Sequence, residues 1–168
     1  VRRVYGELTG SDATRLTPRD IFDIAEGTHP GDREAARESF RRFGEVAGDV
    51  ISQALTIIDG IVVLGGGLTG AAKYFMPALL AEMRGEIGTF AGDRFPRLQM
   101  QTYDLDSPEE AAEFVREKSV PVAVPHSEEC VRYHHIRQTP IIRSKLGASR
   151  AIALGAYAFA IAELDRRQ

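Results

Sequence analysis

The stretch of this sequence best suited to holding a ligand is Gly65-Gly66-Gly67-Leu68-Thr69-Gly70. It follows Ile61-Val62-Val63-Leu64, a run of apolar and mostly β-branched residues that reads as a short strand buried on both faces in a parallel α/β sheet. Consecutive glycines let the backbone turn sharply, and they let a ligand reach the main chain without meeting a Cβ. The free N–H groups of the following helix point into the same space. Such a corner suits a phosphate or a ribose, although the same glycines would also serve a plain strand-to-helix turn. The stretch satisfies GxGxxG, but a dinucleotide fold also needs an acid at the end of a second strand roughly 20 residues on. That window, Gly85 to Gly92, has no strand pattern, and Asp104 and Asp106 come too late. A long helical pattern ahead of the first strand is also misplaced for a unit that should open the domain. A Walker-type loop is excluded, because no Gly-Lys-Ser/Thr follows.

Other residue types with chemistry are weaker. His126, Cys130, His134 and His135 could converge across a hairpin. Their spacing fits no established zinc pattern, and His134 and His135 should point to opposite faces of a strand, so a solvated hairpin is expected. Ser144 and Ser149 lack a nucleophile elbow. Glu34, Glu38, Glu109 and Glu110 sit at helix starts, where they offset the helix dipole.

Composition bounds the setting. The chain has 168 residues, 43% of them hydrophobic and 27% charged, which is ordinary for one globular domain. A net charge of −3 with scattered Lys and Arg gives no case for nucleic acid or an anionic membrane. Cys130 is the single cysteine, so no intrachain disulfide forms, and a reducing, cytoplasmic location is expected. No apolar run approaches a membrane span, and the N-terminus lacks a signal-peptide core. Val1 rather than methionine opens the chain, as in a processed product or a piece of a longer protein.

The elements that must position the glycine corner follow in order. After a short opening segment, Thr17-Pro18-Arg19-Asp20 starts a helix that breaks at Gly27. Asp32 caps a long helix from about Arg33 to Ile58. Its expected buried stripe is Ala36, Phe40, Phe43, Ala47, Val50, Ile51, Ala54 and Ile58, and its second half should be deeply buried. Beyond the corner a helix runs from Ala71 to about Arg84, with Pro77 kinking it or falling near its first turn. Gly85 to Pro96 reads as loop and Leu98 to Leu105 as a second strand. Ser107-Pro108-Glu109-Glu110 starts a helix reaching about Lys118, with Glu110 completing a capping box. Val120–Val124 and Val131–Ile136 suggest a hairpin, and Ile141-Ile142 a short strand. The alanine-rich run from Gly147 to Leu164 reads as a helix packed closely on another helix or a sheet.

Three segments together resemble the C-terminal half of a ROK-type, glucokinase-like bacterial sugar kinase, within the actin, hexokinase and Hsp70 ATPase superfamily. They are Ser39-Phe40 with Phe43-Gly44-Glu45-Val46-Ala47-Gly48-Asp49, the run Ile58 to Leu68, and the tail Ser144-Lys145-Leu146-Gly147-Ala148-Ser149-Arg150-Ala151 with Gly155-Ala156. The resemblance covers most of the chain from Thr17 onward. It implies an α/β, ribonuclease H-like (actin-like ATPase) C-terminal subdomain spanning residues 1–168, with an incomplete central sheet flanked by helices.

By the same resemblance, Gly65, Gly66 and Gly67 form the adenosine motif of an ATP site, with Leu68 and Thr69 beside the adenine or ribose. Arg33 and Arg37 become candidates for the opposite wall of the adenine slot. The implied reaction is phosphoryl transfer from ATP to a hexose such as glucose. The family's phosphate loops and catalytic aspartate have no counterpart here, so no residue of this chain is assigned a catalytic role and Mg2+ is expected to be held mainly by the missing N-terminal half. The cysteine-rich zinc motif of many members is absent as well. A homodimer is common in such kinases. Missing strands would leave an open sheet edge, to be covered by the separate half or by an oligomer. Two rival readings are a non-catalytic, sugar-responsive ROK-type transcriptional regulator and a dinucleotide-binding oxidoreductase domain.

Overall fold

The computed structural model describes residues 1–166. The chain begins with a helix that the sequence pattern leaves undefined, α1 (Arg2–Thr9). Next comes α2 (Pro18–Glu26), opened by a complete capping box in which Thr17 and Asp20 satisfy each other's backbone N–H, and closed by Gly27 in the left-handed region. Asp32 caps α3 (Arg33–Leu55) by accepting from the Ala35 N–H at 2.9 Å. β1 (Val62–Leu64) leads through a 3-10 turn, Gly67–Ala71, into α4 (Ala72–Met83). Pro77 lies in the second turn of α4, where it removes one main-chain donor without ending the helix.

The core is built where α3 crosses α4. A Cβ on Gly48 would stand 2.6 Å from the Leu79 carbonyl oxygen, and one on Gly44 would collide with the Phe75 carbonyl. Both glycines therefore let two helix backbones nearly touch. Buried Ser39 and Ser52 complete that face and return their hydroxyls to the Ala36 and Gly48 carbonyls at 2.9 and 2.7 Å, so neither hydroxyl is stranded. The buried stripe thus runs through Ala36, Phe40, Gly44, Gly48, Ser52 and Leu55. Val50 and Ile58, expected inside, are 58% and 66% exposed. The expectation of a deeply buried second half fails because it counted apolar residues, whereas the contact selects small ones.

After α4 come a hairpin of β2 (Glu86–Gly88) and β3 (Arg94–Pro96), then β4 (Gln101–Asp104) and α5 (Pro108–Val115). The region expected to be loop is therefore an antiparallel pair, anchored by Arg97, which pairs with Glu82 at 2.6 Å and with Asp49. Ser107 caps α5, but Glu110 does not close a capping box. Its carboxylate accepts from the Asp104 N–H at 2.7 Å and from Arg84 at 2.5 Å. A second hairpin, β5 (Val120–Ala123) with β6 (Cys130–Tyr133), precedes β7 (Gln138–Arg143) and α6 (Ala148–Asp165).

One parallel sheet of order β1-β7-β4 carries the fold. The segment expected as a minor strand is its centre, with Ile141 fully buried. β1 lies at the edge instead of being buried on both faces, and Val63 is 60% exposed. The expected packing of α6 is likewise absent: Ala148 through Ala162 are all exposed.

The α3–α4 contact gives a direct test. Gly44→Ala or Gly48→Ala should cost about 2 kcal/mol or more by overpacking against a main-chain oxygen. Gly70→Ala, with nothing within 4 Å of the added Cβ, should change little. Urea denaturation midpoints of the three variants check this.

Candidate functional site

β1, β7 and β4 run parallel, so Gly65, Ser144 and the Asp104–Asp106 turn all emerge at one edge of the sheet. Ligands of open α/β sheets bind outside such carboxyl ends. The Ser144 N–H donates to the Leu64 carbonyl at 2.8 Å and carries the β1–β7 pairing to the start of the glycine corner. Gly66 then takes φ 100 and ψ −178, a conformation essentially restricted to glycine. Thr69 locks the turn, its hydroxyl donating to the Gly66 carbonyl at 2.8 Å. A Cβ on Gly66 or Gly67 would meet nothing within 4 Å, and one on Gly65 only the Ser144 Cβ at 3.9 Å. The bare backbone faces open space, so the glycines do more here than relieve crowding.

Two cavities flank this corner. One, of about 360 Å³, lies between Gly67, Leu68 and Gly70 and the first turn of α2, where Thr17, Arg19 and Phe22 form the facing wall with Phe40. Among the described residues, Arg19 is the one charged residue lining it. The second, about 230 Å³, brings Gly65, Gly67, Leu68 and Thr69 against Phe43 and Phe75, whose rings meet edge-on at 5.3 Å. Leu68 lines both cavities. The arrangement offers apolar walls for a flat ring beside main chain that can take a sugar or phosphate.

The wall from α2 was not legible in the sequence. Some fifty residues separate Thr17 from Gly67 in the chain, and the capping box announces only that a helix starts there, not what it faces. Arg33 and Arg37 do not line either cavity. Arg33 donates to the Glu26 carbonyl, while Arg37 donates to the Ala25 carbonyl at 3.3 Å and pairs with Glu34 at 3.0 Å. Both bind α2 to α3.

A third tie fixes that wall. Glu26 accepts from Lys73 and from the Tyr74 hydroxyl, each at 2.7 Å, joining the end of α2 to α4. The Lys73 hydrogen bond, followed by that of Tyr74, holds the Glu26 carboxyl below its ordinary range.

The histidines and Cys130 make no centre. Cys130 is exposed, and no group of three His, Cys, Asp or Glu among the described residues is arranged to hold a metal ion. His134 and His135 follow the end of β6, so strand alternation does not apply. Their rings stack at 6.4 Å rather than pointing apart. The dinucleotide reading meets a topological obstacle, because the strand that follows α4 in the sheet, β4, is separated from β1 by β7. Its terminal Asp104 therefore cannot stand beside the glycine corner as a ribose-binding acid must.

The architecture is a mixed α/β fold with a parallel sheet flanked by helices and a glycine corner at the sheet's carboxyl edge. Among solved structures, the chain is similar to a glucokinase from Parabacteroides distasonis, with 45% sequence identity over 95% of this chain and a TM-score of 0.78. The match covers 42% of that glucokinase, so the chain spans well under half of its length. No protein-family model and no curated protein matches the chain. No helix among the described residues is long and apolar enough to cross a membrane.

Replacing Lys73 by alanine should raise the Glu26 pKa toward the ordinary carboxylate value. A depressed carboxylate contributes stability that is present above its unfolded pKa and lost as pH falls through the folded one. The variant should therefore lose part of the wild-type decline in stability on acidification. A carboxyl-detected NMR titration and urea midpoints at neutral and acid pH check the pair.

Proposed function

We propose that this chain is the adenosine-gripping part of an ATP-dependent, ROK-type sugar kinase of the cytoplasm that transfers a phosphoryl group from ATP to a hexose hydroxyl, with glucose the first candidate. The observation that carries the reading is the 45% identity to a glucokinase over 95% of the chain. The open corner at Gly65 to Gly67 adds physical support, since the part of the chain that should meet a nucleotide is free of side-chain obstruction.

In this reading the adenine lies against Leu68, between the α2 wall and the glycine turn, and the ribose rests on the bare backbone of Gly66 and Gly67. Thr69 keeps the turn closed through its bond to the Gly66 carbonyl rather than contacting the ligand first. The sugar oxygen attacks the γ-phosphorus, ADP leaves, and the hydroxyl proton passes to a base. That base, the phosphate loops and the Mg2+ ligands belong to the remainder of the enzyme. This chain's share is positioning, which together with electrostatic stabilisation makes up most of phosphoryl-transfer catalysis.

The test is a calorimetric titration of the chain with ATP, ADP and NAD. ATP and ADP should bind and NAD should not. Gly67→Val, which adds a branched side chain where space is open and φ is not in the left-handed region, should lower nucleotide affinity at least about tenfold without changing the unfolding midpoint. Gly66→Val should lower both, because valine at that φ is strained by about 1–3 kcal/mol. Equal ATP affinity in wild type and Gly67→Val would remove the site.

A further inference from the structure

A large cavity takes no part in the site described above. It is a cleft of about 1030 Å³ along the outer edge of β4, walled by Met83, Leu98, Met100 and Ile136 and bounded on the other side by α5. The sheet order β1-β7-β4 puts it at the opposite edge from β1, and it shares no lining residue with the two cavities at the glycine corner. Its volume stands at the upper end of the range for small-molecule sites, about 300–1,000 Å³.

What it can hold follows from which of its groups are already spent. Arg84 pairs with Glu110 at 2.5 Å, Arg137 with Asp59 at 3.2 Å and Glu113 with Lys118 at 2.7 Å, while Glu109 accepts from the Ser107 hydroxyl at 2.8 Å. No guanidinium or carboxylate of the lining is left over to answer a charged ligand. An extended peptide cannot add to β4 here either. Arg84 donates to the Thr102 carbonyl at 3.0 Å and Glu110 accepts from the Asp104 N–H at 2.7 Å, and these are the edge groups such a strand would need. The unspent groups are neutral. Thr102 is only 8% exposed, and its Oγ1 is the one buried side-chain oxygen or nitrogen among the described residues without a hydrogen-bond partner, where buried hydroxyls ordinarily have one. Gln99 and Gln101 also line the cleft, and Gln101 spends only its carbonyl, which accepts from the Tyr103 hydroxyl at 2.5 Å.

We propose that this cleft is a second ligand site, for a neutral and mainly apolar small molecule carrying a carbonyl or hydroxyl oxygen. The apolar body packs on Met83, Leu98, Met100 and Ile136, where two thioethers adapt to its shape. Its oxygen takes hydrogen bonds from the Gln101 amide and the Thr102 hydroxyl. The Thr102 oxygen is covered in the free chain, so the ligand engages it through a turn about χ1 that exchanges hydroxyl and methyl. The site does not rest on the kinase reading.

The probes are acetylnaphthalene, neutral with one carbonyl, and naphthoate, the same rings bearing a charge. The full chain is isotope-labelled at the methyls of its three methionines, of which Met83 and Met100 line the cleft and Met76 does not. Acetylnaphthalene should shift the Met83 and Met100 methyl signals saturably and leave Met76 in place, with the same affinity when ATP is in excess. Naphthoate should bind at least about tenfold more weakly, because its charge finds no free partner. Thr102→Val should lower acetylnaphthalene affinity about threefold to tenfold, the share of one neutral hydrogen bond. It should not lower the urea midpoint, since the lost hydroxyl has no protein partner. Absence of a saturable shift, displacement by ATP, equal affinity for naphthoate, or unchanged affinity in Thr102→Val would each overturn the proposal. So would shifts of the same two methyls on raising protein concentration without a probe, which would make the cleft a contact between copies. The nucleotide titration can succeed or fail without moving any of these readouts.

Discussion

The near-contact of two helix backbones at Gly44 and Gly48 is the constraint on which the rest of this structure depends. It brings α3 onto α4 at a distance that only glycine permits and gathers Phe40, Leu79 and Met83 into a buried core. With α4 fixed in this way, the turn that feeds it from β1 is fixed too. The position of the glycine corner is thus decided by packing some distance away from it. The same helix pair holds α2 through Glu26, Lys73, Arg33 and Arg37, so the opposite wall of the corner is set by the same contact.

Polar groups at this contact are satisfied locally. Ser39 and Ser52 bond to carbonyls of their own helix, which lets them serve as small spacers without an unpaired hydroxyl. On the solvent face of α3, Glu38 is held at about 2 by hydrogen bonds from Arg41 and Arg42, an exposed network that supports the helix but does not organise the site. Burial in the fold falls from the α3–α4 contact outward, to the sheet, then to two exposed hairpins and α6.

The glycine corner was legible to the extent that it is local. Gly65 to Thr69 follow a β-branched run and precede a helix, and this spacing alone predicts a backbone-lined corner. The cap at Thr17, the cap at Asp32 and the stop at Gly27 were also legible, because capping is settled within a few residues. Arg33 and Arg37 were misplaced because charge on a helix start gives no direction; the carbonyls at the end of α2 claimed them. Phe22 and Phe40 as walls had no signal short of the tertiary arrangement.

What the sequence by itself determined is the set of elements whose physics is short-range: helix caps, the glycine turn, the β5–β6 hairpin, and the apolar character of α6. Tertiary structure alone decided which strand is central, which face of α3 is buried and what stands opposite the glycines. The physical reason is that burial belongs to pairs of surfaces. A run such as Ile61 to Leu64 carries the same hydrophobicity at a sheet's centre or at its edge, and only the presence or absence of a neighbouring strand separates the two.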